Sequence, residues 1–215
     1  MYETFFEMTN TPFRNDIHVD ALYISSDMSE ILSRLEYAVS RQLFAIITAD
    51  VGCGKSTTIR RFTNSMSDDK YEVLYLSDSK LTPRWFYKGL LDQLGIESKF
   101  YRGDARRQLH QQLEIIRGVY GKHVVTIVDE AHLLARETLE EIRFLLNTKM
   151  DSVQPMSLIL VGQNELWDKL KRQHYAAIRQ RIDLKCEIPP YDRSQTDEYI
   201  RTHLSYAKGN QDIFT

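Results

Sequence analysis

Apolar positions along the chain fall into two kinds of pattern, and the first kind predicts β-strands. Five short apolar runs lie at Leu43–Thr48, Glu72–Leu76, His123–Val128, Ser157–Val161 and Ile182–Ile188. The first, third and fourth of these runs are apolar at nearly every position. That pattern is typical of strands covered on both faces, as in the parallel sheets of α/β proteins.

The second kind of pattern predicts helices between the strands. Apolar residues recur there every three or four positions, as on one face of a helix. The four stripes are Met28/Ile31/Leu32/Leu35/Val39, Ile59/Phe62/Met66, Ala105/Leu109/Leu113/Ile116 and Leu139/Ile142/Leu145/Leu146. Strands that alternate with helices indicate a parallel sheet flanked by helices on both sides. The sequence therefore predicts an α/β fold around a five-stranded parallel sheet.

A domain boundary is predicted near residue 190, at the Pro189-Pro190 pair. Beyond it, Asp192 and Gln195 have the spacing of a helix N-terminal capping pair. The helix that they open carries Tyr199, Ile200 and Leu204 on one side. We expect residues 1–190 to form the core with an N-terminal extension, and residues 191–215 to begin a second helical unit.

Composition narrows the class of protein. Of the 215 residues, 42% are hydrophobic and 27% are charged, as in folded soluble proteins. With 28 Lys and Arg against 30 Asp and Glu, the net charge of −2 excludes an overall basic field for nucleic acid, although a local patch is compatible with it. The N-terminus lacks the pattern of a signal peptide, no apolar stretch approaches the ~20 residues of a membrane span, and the two cysteines have no metal-ligand spacing. We expect a cytoplasmic protein.

A phosphate-binding loop is predicted directly after the first strand. A tight loop of small residues that leads into a helix turns backbone N–H groups inward, and the helix dipole adds to the field that attracts an anion. Gly52 and Gly54 permit the turn, Lys55 supplies a cation for the β- and γ-phosphates, and the Ser56 hydroxyl can coordinate Mg²⁺. The first position of the motif is alanine instead of glycine. The residues predicted to surround the phosphates are Ala49, Asp50, Val51, Gly52, Cys53, Gly54, Lys55, Ser56 and Thr57.

Two acidic residues, Asp129 and Glu130, follow the third predicted strand. A buried strand delivers such side chains to the carboxyl edge of a parallel sheet, where α/β folds bind ligands. Asp129 is predicted to reach the Mg²⁺, directly or through water, and Glu130 to be the base that polarises the attacking water. For His132, a structural role at the start of the next helix is favoured over a catalytic one.

Gln163 follows the fourth predicted strand. If this strand lies beside the acidic one, the amide of Gln163 comes near the γ-phosphate or its water. A hydrogen bond from Gln163 to a neighbouring loop explains the residue equally well.

Taken together, these segments resemble an AAA+ ATPase, and more narrowly the ExeA/TniB/TnsC group, whose members serve transposition or general secretion. The segments that carry the resemblance are residues 5–13, Leu22-Tyr23, Asp50–Ser56, Asp129–His132, Leu160–Leu166 and Ile178–Ile182. The resemblance implies a P-loop ATPase of the AAA+ type that uses ATP and Mg²⁺. It also implies that Gln163 occupies the position called sensor 1.

The resemblance further places the arginine finger in Ile178–Ile182, so that Arg179 and Arg181 are both candidates. Arg181 is favoured, because an arginine from a neighbouring subunit completes such sites. Similar proteins often carry an Asn that restrains the catalytic Glu where this chain has Asp78, which is left out of the catalytic set. Residues 191–215 resemble the start of the family's helical lid, which is expected to be truncated here.

For the work that hydrolysis drives, the leading hypothesis is an oligomeric regulator of DNA transposition that binds duplex DNA in an ATP-dependent way and contacts a transposase. Candidate DNA-binding clusters are Arg102/Arg106/Arg107 and Lys169/Lys171/Arg172, although in a helical protein such clusters are more often solvated helix faces. An ExeA-type ATPase that assists assembly of a secretion machinery is the first alternative. A nucleotide-dependent scaffold with little turnover is the second.

Overall fold

The computed structural model describes residues 2–77, 81–146 and 154–209. Within these ranges the chain divides into two compact units. The larger unit is Ile31–Ile188, and the smaller one combines described residues of Met1–Glu30 and Pro189–Thr215.

Five parallel strands form the sheet of the larger unit. They are β1 (Phe44–Ala49), β2 (Tyr71–Leu76), β3 (His123–Val128), β4 (Ser157–Gly162) and β5 (Leu184–Ile188). Their order across the sheet is β2-β3-β4-β1-β5, and each neighbouring pair is parallel. The predicted five-stranded parallel α/β fold is confirmed.

Nine α-helices accompany these strands in the described parts of the chain. They are α1 (Tyr2–Phe5), α2 (Ser26–Ser40), α3 (Lys55–Asn64), α4 (Pro83–Gln93), α5 (Arg102–Gly118), α6 (Arg136–Leu146), α7 (Asn164–Lys171), α8 (Ala176–Arg179) and α9 (Arg193–Tyr206). Short 3₁₀ turns lie at Val19–Ala21, Ala131–Leu133 and Gln173–Tyr175. None of the helices within residues 2–77, 81–146 and 154–209 is both long enough and apolar enough to cross a membrane.

The sheet is covered on both faces, which explains why its central strands are apolar at consecutive positions. Alternate residues of β1, β2, β3 and β4 point to opposite faces and join two separate hydrophobic clusters. In β1, for example, Phe44 and Ile46 pack in the cluster that contains α4 to α7, whereas Ala45 and Ile47 pack against α2 and α3. Each large side chain buried in this way contributes about 1.5–3 kcal/mol.

In the smaller unit, the N-terminal segment pairs with α9. The Thr9 and Phe13 N–H groups donate to the Ala207 carbonyl (2.9 Å) and to His203 Nδ1 (3.3 Å), and the Phe13 ring stacks on the imidazole. Asp192 and Gln195 form both hydrogen bonds of a capping box, which confirms the predicted start of this helix. Assignment of residues 191–215 to a lid stays a prediction.

The predicted strands agree with the structure to within two residues. The largest shift is at β5, which begins at Leu184 because Ile182 closes a turn by donating its N–H to the Arg179 carbonyl. Four helices, α1, α4, α7 and α8, were not among the predicted elements.

Candidate functional site

The candidate site is assembled at the carboxyl ends of three adjacent strands. β4 lies between β1 and β3, with Thr48 paired to Gly162 and Val128 paired to Leu160. The loop that begins at Ala49, the pair Asp129 and Glu130, and Gln163 all follow these strand ends. The fold therefore brings the three predicted motifs to one edge of the sheet, where α/β proteins bind ligands.

The loop between β1 and α3 depends on glycine at two positions. Gly52 and Gly54 have φ values of 83° and 84°, a region that is strained for residues with a Cβ. A methyl group added at either glycine would meet no atom within 4 Å, so that the space beside both is open. Gly54 is the N-cap of α3 and offers no side chain to its first N–H groups. The start of this helix therefore keeps backbone donors for an anion.

Lys55, the first residue of α3, turns back over the loop. Its ammonium group donates to the carbonyl oxygens of Ala49 (3.0 Å) and Asp50 (2.9 Å). The Ser56 side chain is exposed, whereas Thr58, one turn into α3, is buried and donates to the Gly54 carbonyl (3.0 Å). The loop thus holds a cation in place and leaves the following hydroxyl accessible.

Asp129 is buried, with only 5% of its surface exposed, and both of its carboxylate oxygens accept hydrogen bonds. The Glu130 N–H donates to Oδ1 (2.8 Å), and the Tyr75 hydroxyl donates to Oδ2 (2.7 Å). Burial, followed by the hydrogen bond to Asp129, raises the pKa of Tyr75 above its ordinary value, so that this hydroxyl remains a donor at neutral pH. The carboxylate is therefore fixed in one orientation.

Glu130 is held in an uncommon backbone conformation. Its φ of 51° lies in the left-handed region, which costs a non-glycine residue about 1–3 kcal/mol and is found mostly at functional sites. Its side chain is 42% exposed, and its Oε2 lies 3.5 Å from His132 Nδ1. The predicted base therefore has access to solvent.

His132 joins the acidic loop to the end of β4. Its Nδ1 lies 3.5 Å from the Gln163 N–H as well as from Glu130. A ring nitrogen without a hydrogen accepts from an N–H, whereas one that carries a hydrogen donates to a carboxylate. Nδ1 therefore forms only one of these two hydrogen bonds at a time. His132 is nearly buried and orders the site, as its favoured structural role requires.

Gln163 is the N-cap of α7 and contacts the neighbouring loop through its main chain. The next residue, Asn164, donates to the Asp50 carboxylate over 2.7 Å. This bond joins the end of β4 to the phosphate-binding loop.

The two candidate arginines differ in their surroundings. The Arg179 guanidinium donates to the carbonyl oxygens of Leu170 (3.4 Å) and Lys171 (2.6 Å), at the C-terminus of α7. Arg181 lies two residues further on, past the end of α8, and is half-buried. The contacts of Arg179 assign it a role in holding α7 and α8 together.

The Lys169/Lys171/Arg172 cluster is not a uniform basic face. The Lys169 ammonium donates to the carbonyls of His132 and Leu134, and burial lowers its pKa. Lys171 pairs with Asp168 (2.8 Å). The Lys169 contacts stabilise the junction between α7 and the acidic loop, and the Lys171 pair within α7 offsets one charge of the cluster. Both observations argue against a role of this cluster in binding DNA.

The residues present suit a nucleoside triphosphate and Mg²⁺. Open space beside Gly52 and Gly54, backbone donors at the start of α3 and the Lys55 cation match the phosphates. Ser56 and Asp129 supply the hard oxygen ligands that Mg²⁺ prefers. Within the described ranges, no group of three or more His, Cys, Asp or Glu side chains forms a metal site by itself, so a metal here also requires phosphate and water oxygens.

Tyr75 and Asn164 are residues of the site that the sequence patterns did not indicate. Tyr75 belongs to an amphipathic edge strand, where a tyrosine is ordinary, and only the pairing of β2 with β3 brings it to Asp129. Asn164 directly follows Gln163. The sequence feature that could have identified it is its position as a polar residue just after a buried strand. Asp78 lies outside the described residues.

A family model described as an AAA domain matches residues 37–170. The chain is 30% identical over its whole length to General secretion pathway protein A of Aeromonas hydrophila. It is also 24% identical over 85% of its length to the Mu-like prophage FluMu DNA transposition protein B of Haemophilus influenzae. It spans 40% and 61% of the lengths of these relatives.

Solved structures agree on the fold. The structure of Cdc6p from Pyrobaculum aerophilum matches with a TM-score of 0.62 and 14% identity, over 95% of this chain and 53% of that one. The structure of the ORC2 protein of Aeropyrum pernix, in its ADP form, matches with a TM-score of 0.63 and 15% identity. This match covers 95% of this chain and 56% of that one. The chain therefore belongs to the AAA domain family and, more narrowly, to the ExeA/TniB-like group that sequence resemblance indicated, with the P-loop fold of AAA+ ATPases.

Proposed function

We propose that this chain binds ATP with Mg²⁺ and hydrolyses it to ADP and phosphate. The observation that carries the proposal is the arrangement of the Lys55 loop, Asp129-Glu130 and Gln163 at the ends of the adjacent strands β1, β3 and β4. Membership of the AAA domain family supports it, since such proteins in general bind and hydrolyse nucleotide. The choice of ATP over GTP rests on the family.

Each residue of the site has a proposed role. The residues from Ala49 to Thr57 hold the phosphates through backbone N–H groups and the Lys55 cation, while Ser56 and Asp129 hold the metal. Mg²⁺ neutralises charge on the phosphate oxygens. Glu130 accepts a proton from the water that attacks the γ-phosphorus, and the bond to the ADP oxygen breaks. Gln163 orients this water or the γ-phosphate.

Substitution of the base tests the chemistry. We expect Glu130→Gln to retain ATP binding and to lose hydrolysis by about 10²–10⁴-fold, the contribution of a positioned general base. The measurements are phosphate release and equilibrium binding of a fluorescent ATP analogue. Glu137→Gln, an exposed glutamate at the start of α6, is the control and should leave both unchanged. Equal turnover in Glu130→Gln and the parent would show that another group is the base.

We propose further that hydrolysis drives ATP-dependent assembly on duplex DNA in transposition, with a transposase as partner. A surface on α4 and on the segment that leads into α5 supports DNA binding. Exposed aromatic side chains alternate there with basic ones, the Arg84 guanidinium over the Phe100 ring (4.2 Å) and the Lys88 ammonium near the Trp85 ring (4.7 Å). Tyr101 beside them is 71% exposed.

The predicted Arg102/Arg106/Arg107 cluster begins next to this surface. Arg102 faces the buried Glu141 and Arg107 pairs with Asp104, so these two side chains have partners within the protein. Arg84 and Lys88, which contact aromatic rings, are therefore the better candidates for phosphate contacts.

Filter binding with duplex DNA, with and without ATP, tests this role. The double variant Arg84→Ala/Lys88→Ala should weaken binding and reduce the slope of log affinity against log salt by about 2, one for each lost phosphate contact. The double variant Lys171→Ala/Arg201→Ala is the control, because it removes the same charge from residues that pair with Asp168 and Asp197. Absence of ATP-dependent DNA binding in the parent would overturn the DNA role.

The second candidate is an ATPase that assists assembly of a secretion machinery. The 30% identity to General secretion pathway protein A over the whole chain favours it, compared with 24% for the transposition protein. Hydrolysis that does not respond to duplex DNA would support this alternative. If the parent binds ATP but does not hydrolyse it, the result would instead support the nucleotide-dependent scaffold.

A further inference from the structure

Tyr75 reaches the candidate metal ligand from the edge strand of the sheet. β2 is paired with β3 along its whole length, with Tyr75 opposite Ile127, one residue before the ends of both strands. From there the hydroxyl extends past the end of β3 and donates to Asp129 Oδ2 over 2.7 Å. In the described parts of the chain β2 is the outermost strand at this side of the sheet, and no further strand there supports the carboxylate from this direction.

A side chain of α4 holds Tyr75 itself. The Tyr75 N–H donates to Gln93 Oε1 (2.8 Å), and Gln93 Nε2 donates to the Tyr75 carbonyl (2.8 Å). The Gln93 amide thus takes the place of a neighbouring strand at the open edge and fixes the backbone from which the tyrosine projects. The position of the hydroxyl is consequently set by the fold.

Buried carboxylates that bind metals need such partners. A carboxylate that is free to rotate loses orientational entropy when it binds a cation, and a hydrogen bond from a neighbour removes that freedom in advance. Asp129 is 5% exposed, so that surrounding water does not supply the bond. The second carboxylate oxygen, Oδ1, is already bound by the Glu130 N–H.

We propose that Tyr75 is a positioning residue that orients the Asp129 carboxylate for Mg²⁺. Tyr75 touches neither nucleotide nor metal in this role and acts only through Asp129. The inference rests on the proposed Mg²⁺–ATP site and adds to it the residue that sets its affinity for the metal. Loss of the hydroxyl raises the Mg²⁺ concentration that the site needs and leaves the phosphate-binding loop unaltered.

The test is Tyr75→Phe, which removes one oxygen and keeps the ring. Mn²⁺ affinity in the presence of ADP, measured by electron paramagnetic resonance, should fall by about 10-fold or more, the usual effect of losing a partner of a ligating group. Binding of a fluorescent ATP analogue in EDTA should stay unchanged, which shows that the phosphate-binding loop of the variant is intact. Tyr71→Phe, four residues earlier on β2, is the matched control and should behave as the parent.

The outcomes separate this inference from the proposed function. A parent protein that binds nucleotide without any effect of Mg²⁺ or Mn²⁺ would contradict the metal site as a whole. A parent that requires the metal, together with a Tyr75→Phe variant of equal Mn²⁺ affinity, would overturn the role of Tyr75 alone. A variant that loses metal-free nucleotide binding to the same extent would show a structural role and also overturn it.

Discussion

At the scale of single residues, His203 shows how burial makes one side chain sensitive to pH. It is 3% exposed, packs against the rings of Phe13 and Tyr199, and accepts the Phe13 N–H at Nδ1. Burial lowers its pKa below the ordinary 6.5. The imidazole is therefore neutral in the folded smaller unit, and protonation of Nδ1 would remove the acceptor that holds the N-terminal segment.

The sign of the pH effect follows from this shift. The unfolded chain binds a proton on His203 more readily than the folded one. The contribution of His203 to the free energy of unfolding is therefore fully present above pH 6.5 and is lost as the pH falls through the folded pKa. We expect His203→Asn, which keeps an acceptor near Nδ1 and does not titrate, to be less sensitive to acid. The difference at pH 5 should be about 1 kcal/mol, the scale of one hydrogen bond.

Hydrogen–deuterium exchange of residues 9–13, followed by mass spectrometry at pH 7.5 and pH 5, measures this difference. Acid should increase local opening in the parent more than in the variant. The β3 peptide gives the internal reference, and the exposed His18 supplies a control as His18→Asn. Equal acid sensitivity in parent and His203→Asn would assign the effect to other groups.

At the scale of elements, helices α4, α5 and α6 meet at one buried carboxyl group. Glu141 of α6 is 4% exposed, accepts a hydrogen bond from Tyr87 of α4 (2.9 Å), and lies 3.7 Å from Arg102 of α5. Burial, followed by the charge of Glu141, raises the pKa of Tyr87, so that its hydroxyl remains protonated and donates. A buried charge costs free energy unless such partners remain.

We expect Tyr87→Phe to lower the free energy of unfolding by about 1.5–3 kcal/mol, because it leaves a buried carboxylate without a donor. Urea denaturation followed by circular dichroism gives the value. Tyr120→Phe, at a tyrosine that is 67% exposed, is the control and should change stability by less than about 0.5 kcal/mol. A loss below that value for Tyr87→Phe would mean that Arg102 alone stabilises Glu141.

The elements also show what a sequence predicts and what it does not. β1, β3 and β4 were predictable because burial on both faces makes consecutive positions apolar. α4 was missed although Thr82 caps it and Pro83 opens it, a signal that was present in the sequence. The order β2-β3-β4-β1-β5 depends on contacts between residues far apart in the chain, which no local pattern reports.

The residues of the candidate site also fall into those that the sequence predicts and those that it does not. Lys55, Asp129 and Gln163 were predicted from motifs, because each follows a strand at a fixed spacing, and the structure brings their loops to one edge of the sheet. Tyr75 and Asn164 reach the site only through strand pairing and loop contact. Partners of this kind are set by tertiary structure, and their residue types are unremarkable in the sequence.

At the scale of the whole molecule, we propose that a second copy of the chain completes the hydrolytic site. Arg179 donates to the carbonyls at the end of α7. On the family resemblance, Arg181 is the arginine that we propose acts on the nucleotide of a neighbouring subunit. An arginine in that role stabilises charge on the transferring phosphoryl group and raises the rate of turnover by a factor of about 10³–10⁵. We therefore expect Arg181→Ala to lower turnover to the level of unassembled parent, whereas Arg179→Ala should act through stability.

Mixing two inactive variants distinguishes action between subunits from action within one. An Arg181→Ala subunit keeps Glu130, and a Glu130→Gln subunit keeps Arg181. In a mixed assembly some sites pair an intact Glu130 with an intact Arg181 from the neighbour, so phosphate release should reappear on mixing and should rise with protein concentration. If Arg181 acted within its own subunit, no mixed site would contain both groups, and the mixture would stay as inactive as its components at every concentration.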